Sequence, residues 1–179
     1  MKRFLLAFIV FLAFLFESIF VELVPAERFG IDRVFVPRFT LVLIMLIVFF
    51  YSRNKAIVYA MLFGLLFDII YTDIIGVYMF SFPLIVYVIS LSKKVLHTNL
   101  LVVFFVVTVG ISLLEMLTFG ILYLVHVTTL DWNQFMFNRL FPTLVLNGVF
   151  IICIYYPMKK FLVRLDKLAN KENDKLVNH

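Results

Sequence analysis

Four polar side chains stand inside otherwise apolar runs: Glu17, Asp68, Glu115 and Asn147, with Glu22 close to the end of the first run. A charged carboxylate at the middle of a bilayer costs at least about 2.5 kcal/mol on insertion scales, so each such acid must face protein, water or a headgroup. Paired acids could activate water, and a single acid could tie one helix to another. The first of these chemistries is poorly supported. The step Gly64-Leu65-Leu66-Phe67-Asp68 lacks the Gly directly before the acid that intramembrane aspartyl proteases carry, and no second acid stands in a sister motif. No GxSxG elbow, HExxH pair or Walker loop is present, so the sequence reads as non-enzymatic. Nor is there a duplicated half of the type that builds many transporters. Hydrogen bonding between helices is the commoner use of such acids. Glu115, between Gly110 and Gly120, is the most deeply placed of them, and Glu22 lies at the interface.

Cofactor chemistry is equally sparse. Cys153 is the single cysteine, which allows no intramolecular disulfide and no CxxC metal spacing. His97, His126 and His179 lie far apart, at run ends or in the tail, where interface or solvent positions explain them. No metal or cofactor is expected.

Ala56, Ala60, Gly64 and Asp68 recur every four residues and so share one helical face. Small residues at that spacing let two backbones approach closely in lipid, where packing drives association. An acid at the end of such a groove is placed to bond a neighbouring helix. The face is read as an interface, either internal or for a partner helix.

The elements that must position these residues follow from composition. Of 179 residues, 64% are hydrophobic and 23 are Phe, against roughly 45–50% apolar in a soluble domain. A chain this short could not hide so much apolar surface in one soluble core. Continuous runs, not alternation every second residue, exclude a barrel and select helices, each needing about 20 apolar residues to cross. The expected fold is an all-α integral membrane bundle of about six helices. The spans run from Phe4 to Leu23, Phe39 to Tyr51, Ala56 to Tyr71, Val77 to Leu91, Leu100 to Val127 and Leu140 to Phe161. The first resembles a signal peptide but is long and lacks a small-residue cleavage site, so it is read as an uncleaved helix. The second is short, and Val34 to Val36 are expected to enter the membrane boundary with it. Asp73 and Gly76 mark the break between the third and fourth spans, and Pro83 is a place where the fourth could kink. Trp132 is an interfacial anchor in the loop Thr128 to Arg139.

With the N-terminus inside, 12 of the 16 Lys and Arg residues fall on the inner side, and only Arg28, Arg33, Arg38 and Arg139 on the outer. That bias places both termini in the cytoplasm. It also accounts for the basic pI of about 9.4 without nucleic acid. Residues 1–162 form the transmembrane domain, and 163–179 a basic cytoplasmic tail, read as frayed or disordered. In that tail Phe161, Leu165 and Leu168 recur at helical spacing among Lys160, Arg164, Lys167 and Lys171, a pattern that could instead lie on anionic lipid or dock a partner.

The stretch from Gly64 through Asp68 to Gly76 resembles the signature of the bacterial rod shape-determining protein MreD family, in which a Gly-Leu-x-x-Asp step precedes a Gly that opens the next helix. Pro37 matches the family's proline before the second span, though Arg38 stands where an acid often follows. Pro142, Asn147 and Pro157, then Lys159-Lys160-Phe161-Leu162, match its last helix and basic exit. The similarity in length and plan covers essentially the whole chain.

The resemblance implies a non-catalytic scaffold in the bacterial cytoplasmic membrane. It would bind MreC and, through it, link MreB filaments to the wall-synthesising glycosyltransferase and transpeptidase of the elongation machinery. Ala56, Ala60, Gly64 and Asp68 would then shape a scaffold groove, and Asp68 and Gly76 would hold the helix break. The competing reading is a substrate-capture subunit of a vitamin importer, also a six-helix bundle, with Glu17, Glu115 and Asn147 lining a ligand cavity. The two differ in cavity polarity: capture needs several convergent polar groups, whereas a scaffold pairs its polar groups with each other.

Overall fold

A stretch as uniformly apolar as Phe39–Phe50 presents no polar face to solvent, and the protein places it at the centre. The computed structural model describes residues 2–23, 33–72, 74–93, 99–128 and 130–177. The charged break at 24–32, with Pro25 and Gly30, lies outside the described residues, as do Asp73, Lys94, His97 and His179. The architecture is all-α, with no strand among the described residues. Six helices are α1 (Lys2–Leu23), α2 (Phe39–Phe50), α3 (Arg53–Tyr71), α4 (Val77–Ser92), α5 (Leu100–Leu124) and α6 (Phe141–Val177). Chain enters α6 through a single helical turn (Trp132–Gln134) and a π-helical stretch (Phe135–Leu140).

Four helices are long and apolar enough to cross a membrane: Phe4–Leu23, Arg53–Tyr71, Leu100–Leu124 and the run Trp132–Asn170. Their outer faces carry exposed apolar side chains, among them Phe8 and Phe16 on α1, Leu101 and Phe105 on α5, and Val145 and Val149 on α6. In a protein of this composition that surface is lipid-facing.

All 12 residues of α2 are buried, and the helix touches each of the other five. At 1.5 Å per residue it reaches only about 18 Å, short of a hydrocarbon core of about 30 Å. The non-helical segment 33–38 leads into α2, and its backbone packs along α6 and the π-helical stretch at the level where α2 begins. Non-helical backbone survives at that depth only if its polar groups are satisfied by protein. Here α6 and its π-helical lead-in satisfy them. The Val34 N–H donates to the Asn138 carbonyl at 2.6 Å, and the Val36 N–H donates to Thr143 Oγ1 at 3.2 Å.

Helices α3 and α4 form a tight hairpin. Ala56, Ala60, Gly64 and Asp68 are all buried, so the small-residue stripe packs inside this chain. Gly64 faces the start of α4 so closely that an added Cβ would sit 2.5 Å from the Tyr78 carbonyl oxygen. Gly76, at φ 117, turns the chain into α4.

Two stretches depart from the sequence reading. The expected loop Thr128 to Arg139 is helical from Trp132 onward, with Asp131 capping the turn by accepting from the Asn133 N–H. The tail beyond residue 162, read as frayed, is helical as far as Val177. Packing explains the second: Leu162 and Leu165 are buried among the core side chains and hold the helix on.

Candidate functional site

Short helices α2 and α4 begin inside the protein, where the first amide groups of a helix have no intrahelical partners and no water to replace them. Neither is capped by its own N-cap side chain. The intramembrane polar residues of the long helices cap them instead.

Asp68, near the end of α3 and fully buried, caps α4. Its Oδ2 accepts from the Gly76 N–H at 2.8 Å and the Met79 N–H at 2.9 Å, and its Oδ1 from the Tyr78 N–H at 2.8 Å. A carboxylate at this end also meets the positive pole of the helix dipole. Thr72 Oγ1 donates to the Asp68 and Ile74 carbonyls and closes the intervening turn.

Helix α2 is capped from two sides. Glu17 on α1 accepts the Thr40 N–H on Oε2 at 3.0 Å. Asn147 on α6 accepts the Arg38 N–H on Oδ1 at 2.8 Å, while its Nδ2 donates to the Val36 carbonyl at 3.0 Å and the Thr143 carbonyl at 2.8 Å. One amide therefore holds both the extended segment and the start of α2 to α6. Among the described residues, buried Glu17 Oε1 and Thr40 Oγ1 have no hydrogen-bond partner.

Arg38 is the hub. Counted from sequence among the outer positive charges, it is 3% exposed, and its guanidinium lies between α4 and α5. Its Nε donates to Glu115 Oε1 at 2.7 Å, and its Nη2 to the Tyr78 hydroxyl at 2.9 Å. The Tyr78 ring centroid stands 4.9 Å from the guanidinium carbon. Arg139, from the π-helical stretch, donates Nε to Glu115 Oε2 at 3.1 Å. A buried carboxylate thus sits between two guanidiniums, the arrangement that makes a buried ion tolerable. Tyr78 connects the two caps, because its backbone bonds Asp68 and its hydroxyl bonds Arg38.

The structure accordingly brings Glu17, Glu115 and Asn147 to one region and links it to Asp68 and Gly76 through Tyr78. Gly64 packs against the start of α4, Ala56 and Ala60 are buried in the core, and all three stay outside this network. Sequence reasoning missed Arg38, Tyr78, Thr143 and Arg139. A signal existed for the cations: Glu115, deep in an apolar helix, demanded a positive partner.

As chemistry, the network offers little. Both oxygens of Glu115 and of Asp68 are engaged, so neither presents a free base. Among the described residues no three His, Cys, Asp or Glu side chains gather as a metal site would require. A cavity of about 160 Å³ lies beside Glu17, Arg38, Tyr78 and Arg139. That is below the roughly 300–1,000 Å³ of ordinary ligand pockets.

Comparison with known proteins gives two matches and one blank. The family described as rod shape-determining protein MreD matches residues 2–165. The rod shape-determining protein MreD of Bacillus subtilis (strain 168) is 38% identical over 172 residues, covering 96% of this chain and 100% of the relative. No solved structure matches the chain.

Proposed function

The chain belongs to the rod shape-determining protein MreD family, and on that premise we propose that it is a non-catalytic membrane scaffold of the bacterial cell-elongation machinery. In this reading it sits in the cytoplasmic membrane with both termini inside, binds MreC, and through MreC helps couple MreB filaments to the wall glycosyltransferase and transpeptidase. Family membership carries the proposal. The polar network supports it, because Asp68, Glu115 and Asn147 are spent on caps and ion pairs within the chain, and Glu17 gives one oxygen to the Thr40 N–H. Such a bundle would engage partners through its helix faces and loop edges. The inner bias of positive charge also becomes sharper once Arg38 and Arg139 are recognised as partners of Glu115, since the outer set of four then keeps only Arg28 and Arg33.

The importer reading places a ligand near Glu17, Glu115 and Asn147. Against it stand the small cavity and the mutual engagement of Glu115, Arg38, Arg139 and Asn147. Depleting the chain from the bacterium that carries it tests the proposal: loss of elongation and rounding of the cells are expected. Cells that kept their shape and lost uptake of a vitamin would overturn the scaffold in favour of the importer.

A further inference from the structure

Past the bilayer-crossing part of α6, the helix displays two faces of opposite character. Met158, Leu162 and Leu165 are buried against the bundle, which fixes the rotation of the helix. The opposite side carries a groove of about 680 Å³ whose lining includes Lys159, Lys160, Arg164 and Lys167 together with Tyr156 and Val163. Lys160, Arg164 and Lys167 are exposed, and among the described side chains, which end at Asn170, no acid lies within ion-pair distance of them. Spaced by four and then three residues, they stack on one face, where like charges repel. Lys159 is held apart from them, its ammonium 3.3 Å from the Tyr155 hydroxyl and 5.6 Å from the Phe50 ring centroid.

Depth is set by helix geometry. Counted from Phe141, a hydrocarbon core of about 30 Å is spanned by about 20 residues, which brings the helix to Lys160. The cations therefore begin where lipid phosphates lie, and Tyr156 is one turn inside. An apolar strip leading into uncompensated cations at that boundary complements an acyl chain leading into an anionic headgroup. Arginine adds the forked geometry that suits phosphate.

We propose that this groove binds one anionic phospholipid, with the phosphate held by Lys160, Arg164 and Lys167 and an acyl chain running inward past Tyr156. The site is independent of the scaffold reading and would stand whichever partners the bundle has. Near an anionic surface each basic residue contributes roughly five-fold in binding.

The test is native mass spectrometry of the full chain in detergent, titrated with phosphatidylglycerol or phosphatidylcholine. The native chain is expected to bind phosphatidylglycerol at least about ten-fold more tightly. The triple variant Lys160→Gln, Arg164→Gln, Lys167→Gln should lose that preference while keeping its helical circular dichroism. The pair Lys160→Arg, Lys167→Arg should keep it. Equal binding of the two lipids by the native chain overturns the proposal and would point to an acidic protein segment on this face. An unchanged preference in the triple variant overturns the assignment of the phosphate to these three residues.

Discussion

Replacing Asp68 by Asn keeps size and shape and removes one acceptor, and the geometry makes that single change expensive. Both carboxylate oxygens are occupied by backbone donors: Gly76 and Met79 on Oδ2, Tyr78 on Oδ1. An amide must turn its NH₂ toward one set or the other. The milder flip keeps its oxygen on Gly76 and Met79 and sets the NH₂ against the Tyr78 N–H, two donors facing each other. A hydrogen bond to a charged group contributes about 1.5–3 kcal/mol, and a buried donor left unpaired costs about 1–3 kcal/mol. These overlap, so a loss of about 3 kcal/mol is expected. Asp68→Ala strands all three amides and should cost more. The assay is equilibrium unfolding of the purified chain in mild detergent, comparing the native protein with both variants. Asp68→Asn should insert normally and show native helix content at low denaturant, yet unfold far more easily. An Asn variant within about 0.5 kcal/mol of native, the range of an ordinary surface substitution, would refute the view that Asp68 acts as a doubly loaded cap.

Gly64→Leu should prevent closure of the α3–α4 hairpin, because even a Cβ would meet the Tyr78 carbonyl at 2.5 Å. Phe63→Leu, a smaller repacking in the core, should cost less than about 1.5 kcal/mol, and equal recovery of folded protein from the two would contradict the close approach. Removing one partner of the buried ion pair, by Arg38→Met or Glu115→Leu, should each destabilise by about 3–5 kcal/mol, with the double variant less destabilised than their sum. Additive unfolding energies would show that the two residues do not interact. Gly76→Ala should cost about 1–2 kcal/mol, since φ 117 suits only glycine. An unfolding midpoint equal to that of the native chain would show that the turn relaxes freely.

Much of this fold is legible in one-dimensional patterns. Runs such as Phe4 to Leu23 and Leu100 to Val127 declare themselves by length and apolarity. Asp68 and Gly76 sit eight residues apart, and their bond across the turn is local enough for a sequence motif to record. Arg38 was not legible as a hub. It stands in a charged, proline-containing segment that looks like an outer loop, and its partner Glu115 is 77 residues away. The π-helical stretch Phe135–Leu140 shows no breaker or cap of its own; it carries Arg139 to Glu115 and Asn138 to Val34, contacts that no local signal encodes. Likewise, Leu162 and Leu165 read equally well as a lipid-facing stripe until the bundle is seen to cover them.

Whether the chain acts as a scaffold is decided by the partners it holds. The tagged full-length protein, extracted in mild detergent from its native membrane and recovered by its tag, should retain MreC and the wall-synthesis enzymes, as identified by mass spectrometry. Recovery of ATPase and transmembrane coupling subunits in their place would contradict the scaffold and return attention to a ligand near Glu115.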